Sequence, residues 1–276
     1  MPTPPLTYAD IDWSALRAAA MNRKGWKSKG SKEWDGKADS FSKRNRDSAY
    51  SSLFLSHLPL QSSFTVLDIG SGPGTLAIPI SKRVKRVTAI DFSRGMLNAL
   101  EKIATKKQIH NISTIPCAWE DDWDARGIKP HDIAIASRSM GVRDLATALQ
   151  KINSYAKKFV FISDRIGETP FEKSAFAALG RPFEPGPDYI YTLNTLYTLG
   201  IYPNVTVLQL ERENVYANMD EALKSYSWMF RDISEEETIL LEKYITRRIV
   251  SVAGDKITVM RDHPPRWALI WWETLG

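Results

Sequence analysis

Two carboxylates and three glycines concentrate the chemistry of this chain: Asp68, Gly70, Gly72, Gly74 and Asp91. Phe64-Thr-Val-Leu-Asp-Ile-Gly-Ser-Gly-Pro-Gly-Thr75 reads as a buried strand that runs into a glycine-rich turn. Val87-Thr-Ala-Ile-Asp-Phe-Ser93 reads as a second strand that ends in an acid. Together they describe a pocket for a nucleoside-containing cofactor. The glycines are spaced G-x-G-x-G, whereas a dinucleotide fingerprint needs a glycine where Thr75 stands. Asp68 would repel a pyrophosphate. It suits a cofactor that carries a cationic amine or sulfonium.

Elements of a recognisable kind must position these residues. Strands are expected at Thr65–Ile69, Arg86–Ile90, Ile112–Pro116, Asp132–Ala136 and Phe159–Ser163. Helices fall between them: one from about Pro73 with a kink at Pro79, then Arg94–Lys106 and Val142–Lys157. Such alternation argues for a parallel sheet covered on both faces, with the ligand at the carboxyl ends of the strands. Upstream, Asp10 to Met21 and Asp47 to Leu58 show helical periodicity. Trp13, Leu16 and Ala20 share a face of the first, and Tyr50, Phe54 and Leu58 a face of the second. Downstream, Arg165 to Tyr202 is rich in proline and tyrosine and longer than a packing connection needs. A strand at Asn204–Glu213, capping boxes at Asn218/Glu221 and Ser234/Glu237, and a last strand at Arg266–Trp272 complete the reading.

Asp68-Ile-Gly-Ser-Gly-Pro-Gly74 resembles motif I of the class I S-adenosylmethionine-dependent methyltransferases. Asp91-Phe-Ser-Arg-Gly-Met-Leu97 is similar to the small-molecule branch, such as the ubiquinone/menaquinone biosynthesis methyltransferases. The resemblance covers roughly residues 64–165 and implies a Rossmann-like α/β fold with a seven-stranded, mostly parallel sheet. Its last two strands would form an antiparallel pair. The expected division is an N-terminal helical cap over 1–60 and a methyltransferase domain over 61–276, in which 166–202 forms a substrate lid.

The resemblance implies S-adenosyl-L-methionine as cofactor and S-adenosyl-L-homocysteine as product. Gly70, Ser71 and Gly72 would let the backbone approach the cofactor, and Asp91 would accept from both ribose hydroxyls. Phe92 and Met96 could pack on adenine, with core packing as the alternative for Met96. Ala118, Trp119 and Glu120 occupy the stretch that borders adenine in the family, and Asp121 is a further acid there. Ser137 and Arg138 follow the fourth strand, where cofactor and acceptor meet. Arg138 could hold an anionic acceptor or pair with Asp164. Trp34 and Phe41 resemble the aromatic cap pattern of small-molecule enzymes. Tyr189 and Tyr191 are the lid's candidate acceptor contacts. An oxygen or carbon nucleophile would require a base, for which Asp164, His57 and Tyr189 are candidates; no catalytic residue is assigned. The Asn/Asp-Pro-Pro-aromatic motif of amino-adenine methyltransferases is replaced by Ser137-Arg-Ser-Met140.

Composition narrows the class further. The chain has 276 residues, an ordinary apolar fraction of 43% and one cysteine, Cys117. An intramolecular disulfide and a cysteine-rich zinc site are therefore excluded, and no metal is expected. The N-terminus lacks a basic and apolar signal pattern, and no run is long enough to span a membrane. A cytoplasmic location is the expectation. Between Arg23 and Arg46 nine basic residues face three acids. This stretch reads as a solvated, mobile cap, or as a surface for tRNA or protein if the acceptor is a macromolecule. The preferred reading is methyl transfer to a small molecule, anionic or aromatic. A non-catalytic cofactor-binding protein is the remaining alternative.

Overall fold

The computed structural model describes residues 7–23, 30–36, 48–230 and 232–274. Its strands are β1 (Thr65–Ile69), β2 (Arg86–Asp91), β3 (Ile112–Pro116), β4 (His131–Ser137), β5 (Ala156–Arg165), β6 (Asn204–Gln209), β7 (Glu213–Tyr216), β8 (Ile249–Ala253), β9 (Lys256–Met260) and β10 (Arg266–Glu273). Seven of them form one sheet in the order β3-β2-β1-β4-β5-β10-β6. The β1–β5 neighbours pair in parallel, while β10 runs antiparallel to both β5 and β6. The expected fold class is therefore present. Val66–Ile69 and Ile133–Ala136 are buried without interruption, as strands covered on both faces must be.

The helices are α1 (Trp13–Arg23), α2 (Ser31–Asp35), α3 (Ala49–Ser56), α4 (Ala77–Ser81), α5 (Arg94–Lys106), α6 (Leu145–Ser154), α7 (Lys173–Ala178), α8 (Tyr189–Thr198), α9 (Met219–Ser227) and α10 (Glu235–Thr246). Phe54, Ile80 and Leu100 from α3, α4 and α5 pack on one face of the sheet. Leu149 and Leu196 from α6 and α8 pack on the other. No helix among the described residues is long and apolar enough to cross a membrane.

Several boundaries differ from the sequence reading for local reasons. The helix expected from Pro73 is confined to the five residues of α4, so Pro79 stands at its third position. An N–H in a first turn has no intrahelical partner, and the proline costs little there. The helix expected from Val142 starts after Asp144, whose carboxylate accepts from the Thr147 N–H at 3.0 Å. It stops at Ser154, because Ala156, Lys157 and Lys158 begin β5. In α1 Leu16 is exposed, and the buried face carries Arg17 and Ala20 instead.

The larger departure lies between β6 and β10. The single strand expected over Asn204–Glu213 splits, and its second half joins a separate sheet of order β7-β9-β8. This sheet and helices α7, α9 and α10 enclose their own core around Phe176, Tyr226, Leu241 and Val259. Residues 166–202 are divided as a result. Phe171, Phe176 and Phe183 belong to the inserted module. Tyr189, Tyr191 and Leu196 lie on α8, which packs against β5, α6 and α1 as the crossover to β6.

Candidate functional site

Gly70, Gly72 and Gly74 all adopt left-handed backbone, with φ of 68°, 55° and 85°. This turn lets the chain leave β1 and enter α4 while its N–H groups face the adjacent acids. The Gly72 N–H donates to Asp91 Oδ2 at 2.9 Å, and the Ser93 N–H donates to Asp91 Oδ1 at 2.8 Å. A carboxylate has about four acceptor positions, so two remain for a vicinal diol. A Cβ built on Gly72 meets nothing within 4 Å, which marks open space over the turn. Asp68 is buried below it. Burial, and then the neighbouring Asp91 charge, push the Asp68 pKa up to about 7, against an opposing hydrogen bond from the Ala77 backbone. Burial also raises Asp91, and the charge of Asp35 adds to it.

Among the described residues, Asp68 Oδ2 and Ser71 Oγ are enclosed without a hydrogen-bond partner. Two crowded acids, an orphaned carboxylate oxygen and a glycine turn open to the outside fit a cationic nucleoside cofactor. They do not fit a pyrophosphate. No group of histidine, cysteine, aspartate and glutamate among the described residues could hold a metal ion.

The remaining cofactor candidates lie around this turn in unequal roles. Phe92 is exposed, whereas Met96 is buried with Ala99 and Trp34. The Ala118 N–H already donates to Asp121 Oδ2 at 3.1 Å, and Asp121 also pairs with Arg126 at 3.3 Å. Glu120 is exposed and has no hydrogen bond among the described residues. Trp119 donates its indole N–H to the Ser139 carbonyl at 3.0 Å and packs on the core. Cys117 is buried, with a thiol pushed up to about 11 by burial and then by Asp121, and is inert.

Trp34 packs against Met96 and Ala99 of α5. Its neighbour Asp35 accepts from the Ser93 hydroxyl at 2.6 Å and from the Gly95 N–H at 2.8 Å. The segment thus adds a carboxylate to the N-terminus of a 13-residue helix, where negative charge is favoured. A Cβ on Gly95 would lie 2.8 Å from Asp35 Cα, so this contact requires glycine. Gly95→Ala is expected to detach α2, and trypsin should then cut at Lys32 faster than in the wild type. An unchanged cleavage rate would show that the contact does not hold the segment down. Phe41 lies outside the described residues, as does most of the basic stretch.

At the end of β4 the hydroxyls of Ser137 and Ser163 meet the hydroxyl of Tyr50, at 2.6 and 2.5 Å. Arg138 follows with left-handed backbone, φ 56°, and its N–H donates to Ser163 Oγ at 3.0 Å. Its guanidinium lies 4.2 Å above the Tyr50 ring and 5.6 Å from that of Trp267. The residue as a whole is exposed, while its guanidinium is covered by these rings. Burial of its charge lowers its pKa, with Tyr50 opposing. No carboxylate pairs with Arg138 among the described residues.

The alternative of an Arg138–Asp164 pair is not what forms. Asp164 Oδ2 accepts from Thr192 at 2.8 Å, and Arg17 and Arg165 are its charged neighbours. Burial raises the Asp164 pKa, followed by the opposing Arg17 charge. Arg17 itself donates to the carbonyls of Met140 and Val142 and ties α1 to the turn after β4. Tyr189 and Tyr191 are half-buried on α8 and pack against the α6 face. His57 is exposed at the end of α3. Tyr50 and Arg17 escaped the sequence reading. Tyr50 was one of three residues on an apolar face, and Arg17 lay outside the apolar stripe, so neither position carried a signal.

A methyltransferase-domain family model matches residues 66–159. An uncharacterized protein of Haemophilus influenzae is 32% identical over 243 residues, 87% of this chain and 88% of that protein. The fold is similar to that of a proposed methyltransferase from Bacillus halodurans, with TM-score 0.57, 12% identity, and coverage of 83% of this chain and 100% of that one. It is also similar to YcgJ from Bacillus subtilis, with TM-score 0.53, 14% identity, and coverage of 82% and 98%.

Proposed function

The chain belongs to the class I S-adenosylmethionine-dependent methyltransferases, and from that premise we propose that it methylates a small-molecule acceptor held over the carboxyl ends of β4 and β5. The observation that carries this reading is Arg138. A guanidinium stacked on two aromatic rings, beside the last residue of β4 and without a carboxylate partner among the described residues, favours an acceptor that brings its own negative charge or an aromatic ring.

When bound, the cofactor supplies an electrophilic methyl group on a sulfonium and departs as S-adenosylhomocysteine. Asp91 would hold the ribose diol with the acceptor positions its two backbone donors leave free. Asp68 would face the cationic amino-acid end. Ser137, Ser163 and Tyr50 would keep the β4 and β5 ends in register, so that Arg138 presents its charge from a fixed place. Positioning and exclusion of water are sufficient contributions when the donor is already activated.

Methyl transfer from labelled S-adenosylmethionine into fractionated small-molecule extract is the test. One fraction should accept label, and Arg138→Ala should raise the acceptor KM about tenfold or more by removing a charge-assisted contact. Labelling of RNA or protein in place of small molecules would move the reading to a macromolecular acceptor.

A further inference from the structure

Where the inserted module meets the carboxyl end of β5, a cavity of about 340 Å³ opens between residues 166–172 and the β9–β10 connection. That volume lies within the roughly 300–1,000 Å³ of small-molecule sites. Its charged walls are mostly balanced. Buried Glu172 accepts from the Asp262 N–H at 2.9 Å and from Tyr226 at 3.1 Å, with Arg248 at 3.6 Å and Arg261 at 3.5 Å. Asp262 pairs with Arg248 at 2.5 Å. Glu168 is turned to the start of α7, where it accepts from the Lys173 N–H at 3.3 Å.

Two arginines line the same space. Arg261 gives its terminal N–H groups to the carbonyls of Pro170 and Phe171, both at 2.9 Å. Its Nε is enclosed with no hydrogen-bond partner among the described residues, because Glu172 lies outside bonding geometry. Arg266 lines the cavity, and its backbone N–H donates to the Thr169 hydroxyl. No carboxylate pairs with its guanidinium among the described residues. Arg261 already has Glu172 as its counter-charge, whereas Arg266 brings a guanidinium whose fork matches an oxyanion.

We propose that this cavity binds a small oxyanion, carboxylate or phosphate, carried by the methyl acceptor at the end remote from its reacting atom. The assignment rests on the methyl-transfer reading above. Its place in the sheet supports it. β10 is two strands from β4, roughly 10 Å at the usual strand spacing. Trp267, the neighbour of Arg266, reaches back to contact Tyr50 and the Arg138 guanidinium. An acceptor about 10 Å long therefore spans from Arg266 past Trp267 to the end of β4. The inserted module then selects acceptors by their far end, while the sheet performs the transfer.

Binding of inorganic phosphate to the protein saturated with S-adenosylhomocysteine, followed by phosphorus NMR at low salt, tests the pocket. Arg266→Gln should fold normally, because Arg266 is exposed, and should bind phosphate about tenfold more weakly. Failure of the wild type to bind phosphate, or equal binding by the variant, overturns the proposal. A second measurement separates an acceptor group from a free anion. Methyl-accepting activity of a small-molecule extract should be retained on an anion exchanger, and Arg266→Gln should raise the KM for that fraction while leaving kcat in place. Activity found only in the unretained fraction, or an unchanged KM, overturns the link to the acceptor. Absence of S-adenosylhomocysteine binding would instead defeat the methyl-transfer reading, and phosphate binding would still report on the pocket.

Discussion

Between pH 7 and pH 5 the affinity for S-adenosylmethionine is expected to fall about a hundredfold, because Asp68, with its pKa near 7, must lose a proton to face a cation. Without the cofactor, burial and the Asp91 charge keep Asp68 protonated up to about 7. A cation beside it lowers that pKa, so one proton leaves for each cofactor bound. The limiting slope is then about tenfold per pH unit below 7, with a plateau above. The sign for folding is the opposite. A carboxyl with a raised pKa in the folded state contributes most stability below its unfolded pKa, and that contribution is lost as the pH rises toward 7.

Asp68→Asn separates the two effects, since it keeps the shape and cannot ionise. Calorimetry should give it a low cofactor affinity that stays flat from pH 5 to 8. The stability difference between variant and wild type should grow in the variant's favour across the same range. A flat profile in the wild type, or a wild-type slope in Asp68→Asn, would place the linked proton on another group.

The second large effect separates two glycines of one turn. Both Gly70 and Gly72 are left-handed, so alanine at either costs about 1–2 kcal/mol. Their surroundings differ. A Cβ on Gly70 lies 2.4 Å from Ser139 Cβ, within a turn held by the Ser139 hydroxyl on the Ile69 carbonyl at 2.7 Å. Gly70→Ala must displace that turn and adds roughly 1–3 kcal/mol of overpacking. A Tm drop of roughly 10 °C is expected for Gly70→Ala, and about 4 °C for Gly72→Ala. Cofactor affinity should follow a different pattern. Gly72→Ala puts a methyl group into the open space over the turn and should lose binding while the protein stays folded. Gly70→Ala loses both. If Gly72→Ala binds the cofactor as well as the wild type does, the space above that residue is not part of the cofactor site.

Legibility followed the range of the interactions. Asp68, the glycine turn and Asp91 were readable because each stands at a junction that short-range rules determine. A strand ends, a turn needs positive φ, and a helix begins at Ser93, whose hydroxyl accepts from Met96 N–H at 3.1 Å. The strand and helix alternation from 65 to 165 was readable for the same reason. Each element buries a face whose period is written in neighbouring residues.

Partnership between distant segments was not readable. Tyr50 meets Ser163 across 113 positions, Arg17 meets Val142 across 125, and Asp35 meets Gly95 across 60. The four-residue β7 and its partners form a sheet only because α7, α9 and α10 close over it, and no single one of these segments shows that core by itself. Tyr189 and Tyr191 illustrate the limit from the other side. A proline- and tyrosine-rich stretch suggested an aromatic roof, while burial against α6 gave those tyrosines a packing role on a crossover helix. The sequence by itself thus determined the fold class and the glycine turn with an acid on either side of it, since local backbone geometry dictates them. Only the tertiary structure decided which guanidiniums have no carboxylate partner among the described residues and where the inserted module leaves a cavity, because both depend on which groups the completed fold brings within reach of one another.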